Sequence, residues 1–229
     1  MNDLTKLEEI LGYKFVVGEV LVRALTHSSY ANENHDTHHD NERLEFLGDA
    51  VLDMVVSNIL FSTEIDKAEG DLTKLRASVV CERSLAKISK QNGINNFILL
   101  GKGEEHCGGR SRDSIAADCL EAILGAIYVD GGYNAAYKVI KKLFEKEIKA
   151  AEAGKLPRDS KTELQELLQA VGPCEISYKL TNEVGPDHDK SFSYQVIANG
   201  KVIGEGIGKS KKEAQANAAE AALEVINEL

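Results

Sequence analysis

Apolar residues recur at helical spacing through the first 150 positions of the chain. Leu4, Leu7, Ile10 and Leu11 fall on one helix face. The same spacing continues in residues 19–30, 41–61, 70–91, 113–129 and 134–151. None of these segments shows the sustained two-residue alternation of a half-buried strand. The pattern predicts an all-α domain over residues 1–150.

The pattern changes after residue 150. Residues 151–159 lose helical spacing and include Gly154 and Pro157, which is typical of a linker. A second domain, with mixed helix and strand patterns, is predicted over residues 160–229. Its elements in order are a helix over 161–170, alternating strands that begin at Ile176 and Phe192, a third strand over 202–207 and a helix over 211–229. Asn199-Gly200 is a hairpin-turn signal between the last two strands, so the sequence predicts an α+β domain of α-β-β-β-α order.

Three carboxylates interrupt the apolar pattern of residues 41–61. At about 100° per residue, Glu42, Glu45 and Asp49 lie within about 60° of one another on one helix face. Like charges at this spacing repel unless a cation lies among them. A hard divalent ion such as Mg²⁺ takes oxygen ligands from one or two carboxylates and leaves positions for water and phosphate. The stripe therefore indicates phosphate chemistry.

A second acidic pair, Asp118 and Glu121, has the same three-residue spacing in another apolar segment. Solvated helix faces are the ordinary explanation for such a pair. Here apolar residues flank the acids on both segments, which indicates buried carboxylates that need partners. Two such helices packed side by side would bring four carboxylates together.

Composition is that of an ordinary folded protein of 229 residues with 43% apolar content. No apolar run approaches the roughly 18 residues of a membrane helix, and the first residues lack the shape of a signal peptide, so we expect a cytoplasmic protein without membrane contact. Its four cysteines form no Cys-x-x-Cys pair, so neither a zinc ribbon nor a disulfide framework is indicated. The net charge of −10 is unfavourable for nucleic-acid binding, so local lysines must supply the attraction.

Five ordered motifs carry a resemblance to a known family. They are Thr26-His27-Ser28-Ser29-Tyr30, Asn41-Glu42-Arg43-Leu44-Glu45-Phe46-Leu47-Gly48-Asp49, Glu69-Gly70-Asp71-Leu72-Thr73-Lys74-Leu75-Arg76-Ala77, Leu100-Gly101-Lys102-Gly103-Glu104-Glu105, and the pair Asp118 and Glu121. In this order they resemble the ribonuclease III family. The resemblance implies an endoribonuclease that hydrolyses double-stranded RNA with divalent metal, leaving 5′-phosphate ends and short 3′ overhangs. Processing of ribosomal RNA precursors and messages is the implied role.

The resemblance also implies which residues act. Glu45, Asp49, Asp118 and Glu121 would hold Mg²⁺, with Mn²⁺ as a substitute and no organic cofactor; Asp49 and Glu121 would be the catalytic acids. Glu42 and Glu69 match further acids of the family site, and Asn41 and Arg43 would orient the cluster. The family forms homodimers, and Phe46 would then pack across the interface, although an intrachain core position is open from sequence alone. Asp53 is better explained as an exposed structural carboxylate, and His27 as a capping or packing residue.

Three strings in residues 160–229 resemble a double-stranded-RNA-binding domain: Lys161-Thr162-Glu163-Leu164-Gln165-Glu166, Gly185-Pro186-Asp187-His188-Asp189-Lys190-Ser191-Phe192, and Gly206-Ile207-Gly208-Lys209-Ser210-Lys211-Lys212-Glu213-Ala214. Such domains contact 2′-hydroxyls in two minor grooves and the phosphates between them. The expected minor-groove residues are Thr162, Gln165, Glu166, Gln169 and His188. Lys209, Lys211 and Lys212, at a helix N-terminus, would take the phosphates.

Two other functions remain open on the residues alone. A protein could hold duplex RNA without cutting it, but relatives of that kind lack site acids, whereas all six matched acids are present here. An unrelated metal hydrolase of small phosphates is the other, and the three C-terminal strings argue against it.

Overall fold

The computed structural model describes residues 4–34, 40–154, 160–185 and 190–227, without the side chains of Thr162 and Asn227. The chain forms two compact units, Met1–Leu156 and Pro157–Leu229. Two of the sequence-predicted positions, the Thr162 side chain and His188, lie outside what is described. The boundaries that we assigned from the sequence and the linker over 151–159 stay predictions.

The first unit is built of helices. In chain order these are α1 (Leu4–Leu11), α2 (Gly18–Leu25), α3 (Ser28–Glu33), α4 (Glu42–Thr63), α5 (Glu69–Val80), α6 (Glu82–Gln91), α7 (Lys102–His106), α8 (Asp113–Leu143) and α9 (Glu145–Glu152). Short 3₁₀ turns cover Ile94–Phe97 and Gly109–Ser111. The all-α prediction for this part of the chain is confirmed. No described helix is both long and apolar enough to cross a membrane.

The core of this unit forms around α4 and α8, which pack against each other. From Ile115 to Ile127, α8 is buried except at the half-exposed Asp118 and Glu121. Small residues such as Ala116 and Ala122 let neighbouring helices approach on several sides. An otherwise apolar helix of this kind must be surrounded by protein. The two acids are therefore the polar exceptions on a central helix.

The breaks between helices differ from the predicted ones at several positions. Segment 70–91 is two helices, because Cys81 has extended backbone with φ −68° and ψ 152°. Segment 19–30 is likewise divided, with His27 in extended conformation before α3. The gap left between 129 and 134 is crossed by α8, although Gly132 breaks the regular geometry with φ 72°. A positive φ is accessible to glycine at little cost.

The second unit has the predicted α-β-β-β-α order. Its elements are α10 (Ser160–Val171), β1 (Ile176–Val184), β2 (Ser191–Ala198), β3 (Lys201–Gly208) and α11 (Lys211–Asn227). The strands form one antiparallel sheet in the order β1-β2-β3. Asn199 and Gly200, with φ 49° and 77°, form the predicted hairpin turn. α11 lies directly on β3, since a Cβ at Gly206 would come within 2.1 Å of the Ala218 nitrogen.

Candidate metal centre

Two glycines bring α4 and α8 into backbone contact. A Cβ built at Gly48 would lie 1.8 Å from the carbonyl oxygen of Glu121. A Cβ built at Gly125 would lie 2.3 Å from the carbonyl oxygen of Leu44. Neither position has room for a side chain. The crossing point therefore lies within one turn of the acids on both helices.

Three carboxylates meet beside this crossing. Oxygen atoms of Glu45 on α4 and of Asp118 and Glu121 on α8 all lie within 4.8 Å of one another. We call these three residues the acid cluster. All three are half-buried. Oxygen ligands at such separations suit a hard cation, which can bind several of them at once.

Burial and mutual repulsion raise the pKa values of the acid cluster. Burial, followed by the charges of Asp49, Glu45 and Asp118, raises the pKa of Glu121 to about 8. Burial is also the main cause of the raised pKa of Glu45, with Asp118 next. The carboxyl of Asp118 has a raised pKa because of burial and the charge of Glu82, against the opposing effect of His27. The cluster thus holds a proton near neutral pH unless a cation takes its place.

Asp49 and Glu42 lie on the exposed side of this cluster. Both side chains are exposed on α4. The charge of Asp49 contributes to the raised pKa values of Glu121 and Glu45, and that of Glu42 to the raised pKa of Glu45. The predicted fourth ligand, Asp49, therefore neighbours the acid cluster without belonging to its closest group.

Glu69 does not join the acid cluster of its own chain. Arg76 contacts Asp53 (Nε to Oδ1, 3.7 Å) and donates to the Ser57 hydroxyl (3.2 Å), which aligns α5 against α4. Because a short loop joins the two helices, they run antiparallel. Glu69 lies about 10 Å before Arg76 along α5, on the side that points away from Glu45. The ion pair with Arg76 also accounts for Asp53 as a structural carboxylate, half-buried instead of exposed.

The residues expected to orient the acid cluster have separate positions. Asn41 is buried; its N–H donates to the carbonyl of Thr26 (2.9 Å), and its carbonyl accepts from Glu45 N–H (2.9 Å). Asn41 therefore fixes the first turn of α4, on which Glu45 lies. Arg43 instead lines a separate hollow beside Arg23. His27 caps α3, with Nδ1 accepting from the Ser29 N–H at 3.2 Å, as expected of a capping residue.

In the second unit, the described candidate RNA contacts are on its surface. Gln165, Glu166 and Gln169 are all exposed on α10. Three exposed lysines, Lys209, Lys211 and Lys212, surround the start of α11. The Nζ atom of Lys211 lies 5.8 Å from the centre of the Phe192 ring. These cations stand at a helix N-terminus, whose dipole favours anions, and the Ser210 hydroxyl already accepts from the Glu213 N–H there (3.1 Å).

Comparisons with known proteins agree with both units. The family model Ribonuclease-III-like matches residues 18–148, and Double-stranded RNA binding motif matches residues 160–226. The Ribonuclease 3 of Caldanaerobacter subterraneus subsp. tengcongensis is 48% identical over 96% of each chain. The chain belongs to the ribonuclease III family. The Ribonuclease 3 of Clostridium perfringens is 46% identical, over 99% of this chain and 95% of its own.

A solved structure of a ribonuclease III nuclease domain has a fold similar to that of this chain. The domain from Campylobacter jejuni, described as structurally flexible in a region involved in dimer formation, is 46% identical with a TM-score of 0.60. It covers 63% of this chain and 98% of its own. The resemblance inferred from the motifs is confirmed. This ribonuclease III is an endoribonuclease of double-stranded RNA.

Sequence reasoning missed several residues around the site of this ribonuclease III. Glu82 lies at the start of α6, outside all five sequence motifs, and its charge raises the pKa of Asp118. Gly48 and Gly125 set the separation of the two acid-bearing helices. A signal for the glycines existed, since each lies within about one helical turn of an acid in an otherwise apolar segment. Nothing in the spacing indicated Glu82.

Proposed function

We propose that this ribonuclease III hydrolyses phosphodiester bonds of duplex RNA with Mg²⁺ held by Glu45, Asp118, Glu121 and Asp49, the last two being the catalytic acids. One observation carries the proposal: three half-buried carboxylates from two helices have oxygens within 4.8 Å of one another. Such a group is costly without a cation. Glu42 lies at the exposed edge of the same stripe, where we place it as an outer acid.

The donor set fits Mg²⁺ because it consists only of carboxylate oxygens. Mn²⁺ accepts the same ligands and should substitute. When bound, the ion supplies Lewis acidity and a water of lowered pKa. Glu121 would bind the ion as the carboxylate, and Glu45 on α4 and Asp118 on α8 would complete the binding site. Asp49, on the exposed side, faces the solvent from which the RNA backbone arrives.

The thiol of Cys119 does not fit the role of a nucleophile at this site. Cys119 follows Asp118 directly, but its thiol is buried and contacts the carbonyl of Ala24 at 3.7 Å. Burial raises the pKa of this thiol to about 12, so it is not a thiolate at neutral pH. Hydrolysis by water with departure of the 3′-oxygen leaves a 5′-phosphate. Short 3′ overhangs follow if two sites cut opposite strands at positions staggered by a few nucleotides.

We place Phe46 at the interface of a homodimer that supplies those two sites. The Phe46 side chain is 81% exposed on α4, which is unusual for a large aromatic residue in a single chain. Aromatic anchors of this kind are concentrated in protein interfaces. The nuclease domain of the C. jejuni relative is described as having a region involved in dimer formation.

The dimer is tested by Phe46→Ala. We expect an increased monomer fraction in sedimentation experiments at micromolar protein. Phe61→Ala is the matched control, because Phe61 is also exposed on α4 but lies about four turns away. An unchanged dimer in Phe46→Ala, or a wild type that is monomeric, would contradict the assignment.

We propose that Thr162, Gln165, Glu166, Gln169 and His188 contact minor grooves and that the three lysines contact phosphates. The accessibility of Gln165, Glu166 and Gln169 along one helix supports this arrangement. Ribosomal RNA precursors and messages in the cytoplasm are the substrates that we expect, because the resemblance to the ribonuclease III family implies this role.

Labelled duplex RNA tests the proposed chemistry. We expect cleavage with Mg²⁺ or Mn²⁺, none with EDTA, and binding without efficient cleavage in Ca²⁺, which is larger and less strictly octahedral. The ends of the products should carry 5′-phosphate, and a single strand of the same sequence should remain intact. Cleavage that persists in EDTA would exclude the metal mechanism, whereas binding without cleavage in Mg²⁺ would indicate a duplex-binding protein only.

A further inference from the structure

Lys161, in the first turn of α10, joins three elements of the second unit. Its Nζ atom donates to Oε1 of Gln215 on α11 at 2.9 Å. The same Nζ atom lies 4.6 Å from the centre of the Tyr178 ring on β1. A cation over a ring face at this distance is attracted to the ring. One side chain therefore ties α10 both to the sheet and to α11.

The position of Lys161 on α10 is at the edge between a buried and an exposed face. Leu164, three residues later, is fully buried, whereas Gln165, four residues later, is exposed. At about 100° per residue, these two side chains lie about 60° and 40° to either side of Lys161. The contacts of Lys161 with Gln215 and Tyr178 therefore oppose rotation of α10 about its own axis. They fix the direction in which the exposed face of α10 points.

Apolar packing between α10 and α11 gives less control over that rotation. Leu164 of α10 belongs to a buried cluster whose members on α11 are mainly alanines, all fully buried: Ala214, Ala218, Ala219 and Ala222. Short side chains form low ridges on a helix, so they restrict the angle of a neighbouring helix less than long side chains do. A directional hydrogen bond from Lys161 supplies an orientation that the alanines do not.

Gln215 connects this contact to the three lysines at the start of α11. It lies four residues after Lys211, so the two side chains are on the same face of that helix. A domain of this kind contacts two successive minor grooves and the phosphates between them, over about 16 base pairs of duplex RNA. The placement of α10 relative to the lysines must therefore match the geometry of the duplex. The contact between Lys161 and Gln215 lies between these two proposed RNA surfaces.

We propose that Lys161 is a positioning residue that holds α10 at the angle needed to contact 2′-hydroxyls, and that it thereby sets the preference of this ribonuclease III for duplex RNA over duplex DNA. The inference rests on the proposed contacts of α10 and adds the residue that orients them. The 2′-hydroxyl is the group by which a protein distinguishes RNA from DNA, whereas phosphates are common to both. A rotated α10 should lose the 2′-hydroxyl contacts and leave the phosphate contacts of the lysines.

Binding of the full chain to RNA and DNA duplexes of the same sequence, in Ca²⁺ to limit cleavage, tests the inference. Lys161→Met keeps the length of the side chain and removes its charge and hydrogen bond, and Gln215→Met removes the acceptor without a change of charge. We expect each variant to weaken RNA binding by roughly five- to tenfold, the scale of one hydrogen bond. The preference for RNA over DNA should fall by the same factor, and the salt slope should stay unchanged. Because both variants remove one contact, the double variant should be no weaker than either single variant.

Gln195→Met is the matched control. Nε2 of Gln195 donates to Oε1 of Glu205 between neighbouring strands of the same unit (2.6 Å). Loss of this hydrogen bond does not involve α10, so the affinities for RNA and DNA should match those of the wild type. Gln215→Met carries the test by itself if Lys161→Met unfolds the second unit, as judged by thermal melting.

Three results would overturn the inference. Additive losses, with a salt slope lower by about one unit in Lys161→Met alone, would mean that Lys161 contacts a phosphate directly. An unchanged preference for RNA over DNA in both single variants would mean that Lys161 does not orient α10, while the proposed contacts of α10 stand. If the wild type itself binds RNA and DNA equally, the proposed minor-groove contacts fail and the inference fails with them.

Discussion

Glu121 is the residue whose chemistry depends most on its neighbours. It is half-buried between the acids of α4 and Asp118 on its own helix, and its pKa of about 8 follows from that position. A carboxyl with such a pKa binds a proton or a cation near neutral pH. A substitution of Glu121 should therefore change both RNA cleavage and the pH dependence of stability.

Replacing Glu121 should strongly reduce cleavage and leave RNA binding intact. Glu121→Gln keeps the size of the side chain and removes its charge, so we expect cleavage to fall by at least about a hundredfold at saturating Mg²⁺, a scale typical of lost electrostatic stabilisation at an active site. Duplex binding by the second unit should persist in a filter or anisotropy assay. Glu9→Gln, an exposed change on α1, is the control. Near-normal cleavage would remove Glu121 from the metal shell.

The same variant should stabilise the protein in EDTA, increasingly so as pH rises. The folded pKa of Glu121 lies above its unfolded value of 4.5, so the folded state binds the extra proton between these values and loses stability as pH rises from about 5 to 8. The uncharged glutamine side chain of the variant has no such pH dependence. After solvent screening of the half-buried group, we expect roughly 1–2 kcal/mol at pH 8 and none at about pH 4. Equal melting temperatures of both proteins at pH 8 in EDTA would contradict the raised pKa.

At the scale of elements, the contact between α4 and α8 is set by backbone packing. Gly48→Ala puts a methyl group 1.8 Å from the Glu121 carbonyl, so the helices must separate. We expect about 1–3 kcal/mol of destabilisation from overpacking and a large loss of cleavage, since the acid cluster opens with the helices. Thermal melting and cleavage measure the two effects.

Gly70→Ala is the matched control for this change. Gly70 also lies in a helix, α5, but a Cβ there would meet nothing within 4 Å. Alanine should stabilise that helix slightly, because glycine is the poorer helix former. If Gly48→Ala behaves like Gly70→Ala, the close crossing of α4 and α8 is not present in solution.

The elements themselves were predictable where local chemistry decides them. Asn199-Gly200 predicts its turn because both residues accept positive φ, and the acids were placed on helices by spacing alone. Cys81 was not predicted to divide a helix, because tertiary packing outweighs its weak local preference. Glu69 matched a family motif, yet sequence order cannot show that α5 carries it away from the acid cluster of the same chain. The hydrogen bonds that Asp130 accepts from Tyr13, Val16 and Val17 were missed because Asp130 lies more than a hundred residues from these donors.

At the scale of the whole molecule, chemistry and affinity are expected to come from different units. The triple change of Lys209, Lys211 and Lys212 to Ala should weaken binding to all duplex sequences about equally, because these side chains face phosphates. It should also reduce the log–log salt slope of binding by about one unit for each phosphate that is no longer neutralised. The measurement is duplex affinity across a series of salt concentrations.

A control in the same unit separates this effect from net charge. Lys179 and Lys201 are exposed on the strands β1 and β3. Their replacement by Ala should leave the salt slope unchanged. Coincident slopes for the wild type and the triple variant would mean that the lysines at the start of α11 do not face the RNA.

The close contact of α4 and α8 at Gly48 and Gly125 also limits where residues can be inserted into or deleted from the chain. Glu45 precedes Gly48 by three residues and Glu121 precedes Gly125 by four, so each acid is about one turn from the point where the helices touch. Inserting or deleting one residue inside 45–48 or 121–125 would rotate an acid by about 100° away from its partners. The loop over 64–68 has no such constraint. Length variation among functional enzymes with this site should therefore be confined to loops and absent from these two short stretches.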